Sequence, residues 1–391
     1  MTCCRSMILG LVCSALALSA ALVRAEGAKE AAKPTAPSLG DVLDASGIAV
    51  TGYLDTSYSH LSGDGVFTSG VANRVFDTQQ DGFSLQQAAL NVGYQPKEGF
   101  GAFVNLTLGN DADVIAPYDR YPSTSKFDVT QAYAQYAGSG FTVIAGKYVT
   151  LAGAEVIASP SNPNFSRSIL FGFAIPFTHT GLRATFAPTD ALTLVLGLTN
   201  GWDDLKDTNS SKTVELGATF APVKAFSIAA AGYFGKERVG GLVGSGTEGE
   251  RSLIDVVATW NISDALTLIV NGDWGQQDNL GEYLTSLGVY GGPNYNAKWD
   301  GVAGYLNYTV SDNWKLSLRA EYFDDKDGYR TGVIQKWKEI TGTIAYLPTK
   351  HAELRLELRG DNSDVSSFSK SDGADTAKGQ ESIAVQALYK F

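Results

Sequence analysis

The stretch "LRLELRG", residues 354–360, sets Leu354, Leu356 and Leu358 against Arg355, Glu357 and Arg359. Strict alternation of this kind suits a β-strand, whose successive side chains point to opposite faces. The same period returns along the chain. "IAVTGYLDTSYS" places Ile48, Val50, Leu54 and Tyr58 on one face, with Thr51, Asp55 and Ser57 opposite. "LTLVLGLTN" repeats it with Leu192, Leu194, Leu196 and Leu198, and "LTLIVNGDW" with Leu266, Leu268 and Val270. Each segment runs to about ten residues, the length of a tilted strand crossing a bilayer. Beyond the N-terminus no window approaches the ~18 apolar residues of a membrane helix.

Segments of this kind begin near residues 48, 83, 99, 127, 141, 178, 191, 213, 225, 251, 265, 298, 313, 336, 351 and 381. Their connections alternate between short and long. The short ones ("YQPKEGF", "AGSG", "APTDA", "APVKA", "NISDA", "VSDN", "LPTKH") are dominated by turn formers. A soluble sandwich has no reason to keep such a rule, whereas a barrel in the bacterial outer membrane does. The expected fold is all-β: a transmembrane antiparallel up-and-down β-barrel of about 16 strands, with short periplasmic turns and long external loops. Closure also leaves no strand edge unsatisfied in lipid.

Composition agrees. Charged residues make up 18% of the chain, below the ~25% of ordinary soluble proteins. The net charge of −11 argues against a nucleic-acid partner, which requires a basic face. Arg5, the apolar run from Met7 to Val23 and the Val23-Arg24-Ala25 site read as a secretion signal. The expected division is a signal peptide over 1–25, a periplasmic lead-in over 26–47 and an outer-membrane barrel over 48–391. All three cysteines fall in the signal segment, so thiol chemistry is not expected of the mature chain. The six tryptophans lie at expected strand ends, as an aromatic girdle at the headgroup level would place them. The terminal strand "SIAVQALYKF" closes on Phe391, the kind of signal that the barrel-insertion machinery reads.

Between Gly146 and Asp203 stand, in order, Gly146-Lys147, Gly153-x-Glu155, Asn164-x-Ser166-Arg167-Ser168, "PFTHTG" and "NGWDD". With the strand pattern around it, this series resembles the OmpL-like β-barrel porin family of Gram-negative bacteria, from about Ala45 to the end. The resemblance implies a channel-forming protein, a porin, in the outer membrane among lipid and lipopolysaccharide. By analogy with general porins of sixteen strands, it also implies a homotrimer.

A barrel of this size encloses an aqueous lumen, so inward residues read as pore lining. Lys315, Arg319, Glu339, Arg355, Glu357 and Arg359 would form one charged patch on one wall, with Lys147 and Arg183 elsewhere. Two readings compete: a self-neutralising ladder of ion pairs that stiffens the wall, and a polarised surface whose arginines filter solutes. The longest connection, about 150–177, contains the apolar run Ile169 to Phe177, a poor choice for a solvent-exposed loop. It is expected to fold inward as the pore constriction, with Glu155 and Arg167 as its charges.

His60, His179 and His351 show no metal-ligand spacing, and no catalytic residue, metal or cofactor is expected. The function expected is passive diffusion of small hydrophilic solutes through a water-filled channel, by a protein that is not an enzyme. The alternative is a structural or adhesive barrel acting through its long acidic loops.

Overall fold

The computed structural model describes residues 38–62, 74–78, 81–117, 125–239, 247–280, 295–369 and 376–391. The expected signal peptide lies outside them. Of the expected lead-in, the described part is a short helix, α1 (Leu39–Ser46), capped by Ser38, whose hydroxyl accepts the Asp41 N–H.

The strands are β1 (Ala49–Ser62), β2 (Gly82–Tyr94), β3 (Gly99–Leu108), β4 (Phe127–Gly138), β5 (Phe141–Val149), β6 (Thr178–Thr189), β7 (Leu192–Thr199) and β8 (Thr213–Val223). They continue as β9 (Phe226–Val239), β10 (Thr247–Asn261), β11 (Leu266–Gln277), β12 (Ala297–Ser311), β13 (Trp314–Asp325), β14 (Gln335–Tyr346) and β15 (Ala352–Ser363). A two-residue hairpin follows, β16 (Phe368–Ser369) with β17 (Thr376–Ala377), and then β18 (Gly379–Lys390). Sixteen of these form one closed antiparallel barrel in chain order, sealed by β18 against β1. The expected strand starts fall within four residues of the observed ones, the widest gap being at β10, which begins at Thr247. There β9 and β10 extend well past the expected ladder, leaving only seven residues between Val239 and Thr247.

Closure is made tight by one glycine. Gly52 and Phe391 exchange two backbone hydrogen bonds of 2.9 Å. A Cβ on Gly52 would stand 2.5 Å from the Phe391 ring and 2.6 Å from the Ala89 carbonyl oxygen.

The outer surface is apolar. Leu194, Leu196, Leu198, Leu354, Leu356 and Leu358 are all exposed, as are Ile340, Ile344, Val385 and Tyr389. Such a belt is excluded from water only by lipid. Three of the six tryptophans, Trp260, Trp274 and Trp314, sit on this outer face as a girdle requires. The other three correct that expectation: Trp202, Trp299 and Trp337 are buried in the apolar cluster of the interior. Trp299 and Trp337 share the inward parity of Tyr305 and Glu339, so strand phase overrides proximity to a strand end.

Candidate functional site

The interior is built around the connection from β5 to β6, residues 150–177. Most of its apolar run is buried, Gly172 and Phe173 being partly exposed. Ile169, Leu170, Phe171, Ala174 and Ile175 are each 2% exposed or less. They pack with inward residues of β9 to β14, including Tyr233, Leu253, Trp299, Tyr305, Phe323 and Trp337. Leu170–Ala174 forms a single π-helical turn, and the Trp299 indole N–H donates to the Ala174 carbonyl at 3.0 Å. Burying side chains of this size is worth ~1.5–3 kcal/mol each, enough to fix the segment to the wall. Phe76, from the first long connection, closes over Phe171 and Phe177.

Polar anchoring comes from the charged patch on β13, β14 and β15. Glu357 accepts the main-chain N–H groups of Phe165 (2.6 Å) and Ser166 (3.0 Å). Glu321 accepts those of Ile169 (2.9 Å) and Leu170 (3.1 Å). Arg319, fully buried, donates to the Ser166 carbonyl and to Glu155, both at 2.7 Å, and pairs with Glu339 at 3.0 Å. Arg359 donates to the Arg167 carbonyl (2.7 Å) and pairs with Asp361, which also holds Arg74 at 2.8 Å. Arg355 pairs with Glu353 and reaches the Asn164 carbonyl at 3.3 Å. Hydrogen bonds to ionised groups are worth ~1.5–3 kcal/mol, and here carboxylates and guanidinium groups alike are directed at the loop's main chain.

The structure therefore brings together Glu155, Arg319, Glu339, Glu357, Arg359 and Arg355, all of them inside and all buried. Neither sequence reading of the patch anticipated its third partner, the loop backbone. Arg167 donates to the carbonyls of Val156, Ile157 and Phe165 and lies over the Phe76 ring, which stitches the loop to itself. Glu155 spends one oxygen on Arg319 and the other on the Ser168 N–H at 2.6 Å. Both charged groups are thus consumed in holding the loop's shape. Arg183 and Lys147 lie apart from the cluster. Arg183 pairs with Glu215 at 2.7 Å over the Tyr148 ring, and Lys147 with Asp128 at 2.9 Å. Lys315 alone among the expected lining charges is exposed, near the short-turn end of β13.

Two acids outside the strands are shifted by burial. Asp203, which accepts the N–H groups of Phe177 and Thr178, is pushed up to about 6. Asp111, on the helix α2 (Asn110–Ile115) and bonded by Gln87, is pushed up to about 8. His179 is buried, stacked on Tyr233 and hydrogen-bonded through Nδ1 to the Gly201 carbonyl. Arg319 also donates to the Ser166 hydroxyl at 3.0 Å.

On the far side of the loop a cavity of about 180 Å³ remains. Residues 149–153 and 155–158 and the rings of Phe171 and Phe177 border it on one side. Tyr53, Asn91, Asn105, Thr130 and Gln131, on β1 to β4, border it on the other. Glu155 is the one acid among its lining residues, and Arg167 is not among them.

A closed barrel of sixteen antiparallel strands, lipid-facing outside and narrowed by a folded-in loop, defines the porin class of outer-membrane proteins. The chain belongs to the family described as "Putative beta-barrel porin-2, OmpL-like", matched over residues 47–391. It is a porin and a multi-pass β-barrel of the bacterial outer membrane, with short turns on the periplasmic side and long loops outside.

Solved structures with the same fold include an anion-selective porin from Comamonas acidovorans, 11% identical, TM-score 0.60, covering 88% of this chain and 99% of that one. The outer membrane channel DcaP of Acinetobacter baumannii is 13% identical at TM-score 0.58, with 88% and 97% covered. OmpT of Vibrio cholerae is 14% identical at TM-score 0.57, again with 88% and 97% covered. No curated protein sequence matches the chain.

Proposed function

We propose that the protein is a passive, non-enzymatic channel for small hydrophilic solutes, with residues 150–177 as its constriction. The observation that carries this reading is the fixed loop beside a cavity. Packed side chains fill the interior against β9 to β14, and a cavity stays open between the loop's apolar edge and the polar side chains of β1 to β4. Glu155 and Arg167 set the width of that cavity by fixing the loop's path. Apolar strands hold the barrel in lipid beneath the lipopolysaccharide layer, and the insertion machinery reads the strand that ends in Phe391. The similar OmpT of Vibrio cholerae is described in a trimer form, and a homotrimer is proposed here on that likeness.

Purified protein in planar bilayers tests the channel. Stepwise conductance is expected, with a larger step when Glu155 and Arg167 are both replaced by Ala. A sealed membrane refutes the channel, and an unchanged step refutes the constriction.

A further inference from the structure

The lumen of this barrel separates its charges from its opening. The buried cluster of β13 to β15 is saturated by the loop, by its own ion pairs and by Arg74. Arg183 is paired with Glu215, and Lys147 with Asp128. The wall that faces the cavity is of another chemistry. The Asn105 amide donates to the Asn91 carbonyl at 2.8 Å, and the Asn91 amide to the Thr51 hydroxyl at 3.4 Å. Nearer the periplasmic turn, the Gln95 amide donates to the Tyr133 hydroxyl at 3.0 Å and to Gln135 at 3.2 Å. The rings of Phe103 and Tyr133 lie 5.5 Å apart between these rows. Among the described residues, the inward positions of β1 to β4 from this cavity to the periplasmic end carry no acid or base.

We propose that this amide, hydroxyl and aromatic face is a recognition surface for uncharged, polyhydroxylated solutes of monosaccharide type. The proposal rests on the channel reading and adds the class of solute. Side-chain amides offer a donor and an acceptor to neighbouring hydroxyls of a solute, replacing the water that the cleft strips away. The aromatic faces take the apolar C–H side of such a ring. An ion has no such exchange there: it loses hydration, and no free opposite charge on this wall compensates it. The cavity holds the volume of about six waters, the scale of one small solute and not of an oligomer. The nearest base is Lys390 on β18, in register with Tyr53 of β1, and it lies 3.5 Å from Glu353; Lys315 stands farther round the barrel on β13.

Liposome swelling with the full-length protein tests this, comparing glucose with gluconate and glucosamine, together with the reversal potential under a potassium chloride gradient. Glucose is expected to enter about fivefold faster than either charged relative, with a reversal potential near zero. The double variant Asn91→Asp, Gln135→Glu should favour glucosamine and move the reversal potential towards cations, while heat-modifiable mobility reports that the barrel still folds. Gluconate entering as fast as glucose, or a strongly anion-selective reversal potential, overturns the solute class and leaves the channel standing. Absence of swelling with all three solutes overturns the channel and the solute class together.

Discussion

Arg319 Nη1 and Glu155 Oε1 meet at 2.7 Å, 164 residues apart in sequence, one on the barrel wall and the other on the β5–β6 connection. Both side chains are shut off from water. A pair of this kind is costly to break, because the survivor is a buried charge without compensation. Arg319→Met leaves Glu155, Glu321 and Glu339 facing one another, at a local cost of ~3–5 kcal/mol. The barrel itself, held by sixteen ladders, should still form. The expected outcome is a heat-modifiable barrel in which the 150–177 segment becomes sensitive to added protease and single-channel current becomes noisy. A loop as protected as in the parent would show that the pair does not hold it.

Apolar contacts make a separate prediction. Leu170 and Phe171 are buried in the interior cluster, and truncating either to Ala should cost ~2–5 kcal/mol of loop docking. Phe171 also borders the cavity, whereas Leu170 packs beneath it, against the Gly301 position of β12. Phe171→Ala is expected to raise conductance directly. Leu170→Ala should act through loop mobility, seen as an increase in open-channel noise. Identical effects of the two would contradict this division.

Acidity gives a third. Burial raises Asp203 to about 6 from an ordinary value of 3.8, against the lowering influence of the Phe177 and Thr178 N–H groups, Arg330 and Lys147. The folded state therefore binds the proton more tightly than the unfolded chain between those two values. The stabilisation is complete below about 4 and is lost as pH rises through about 6. Protease protection of the end of the loop should fall over that interval in the parent. Asp203→Asn should flatten the profile, and a parent profile already flat from pH 4 to 7 would rule the effect out.

A fourth prediction concerns closure. Gly52→Val drives a side chain into the Phe391 ring and the Ala89 carbonyl. Assembly into the heat-modifiable form should drop severalfold, with deletion of Phe391 producing a similar defect. Normal yield from Gly52→Val would mean that the seam adjusts.

Much of the barrel was written in alternation and turn chemistry, since lipid on one side and water on the other impose period two directly. Strand ends were less legible: at β10 the polar "TEGE" carries the ladder on past the bilayer, where no apolar partner marks it. Tryptophan placement misled because Trp299 and Trp337 sit at strand ends but on the inward phase. The charged faces of β13 and β15 were visible residue by residue, and the inward loop was visible as an apolar run. Their attachment was not, because the groups that Glu321, Glu357 and Arg359 bind are main-chain N–H and C=O groups, which no letter of the sequence distinguishes. The amide wall was missed for a related reason. Asn91, Asn105 and Gln135 look like ordinary polar strand positions until the fold sets them beside one another.

That attachment has an evolutionary corollary. Because Glu357, Glu321 and Arg359 seize peptide groups of residues 165–170, their hold does not depend on which side chains those residues carry. Substitutions that reshape the loop's free edge can accumulate while the latch stays fastened. A descendant chain could change what it admits without having to reinvent how its aperture is mounted.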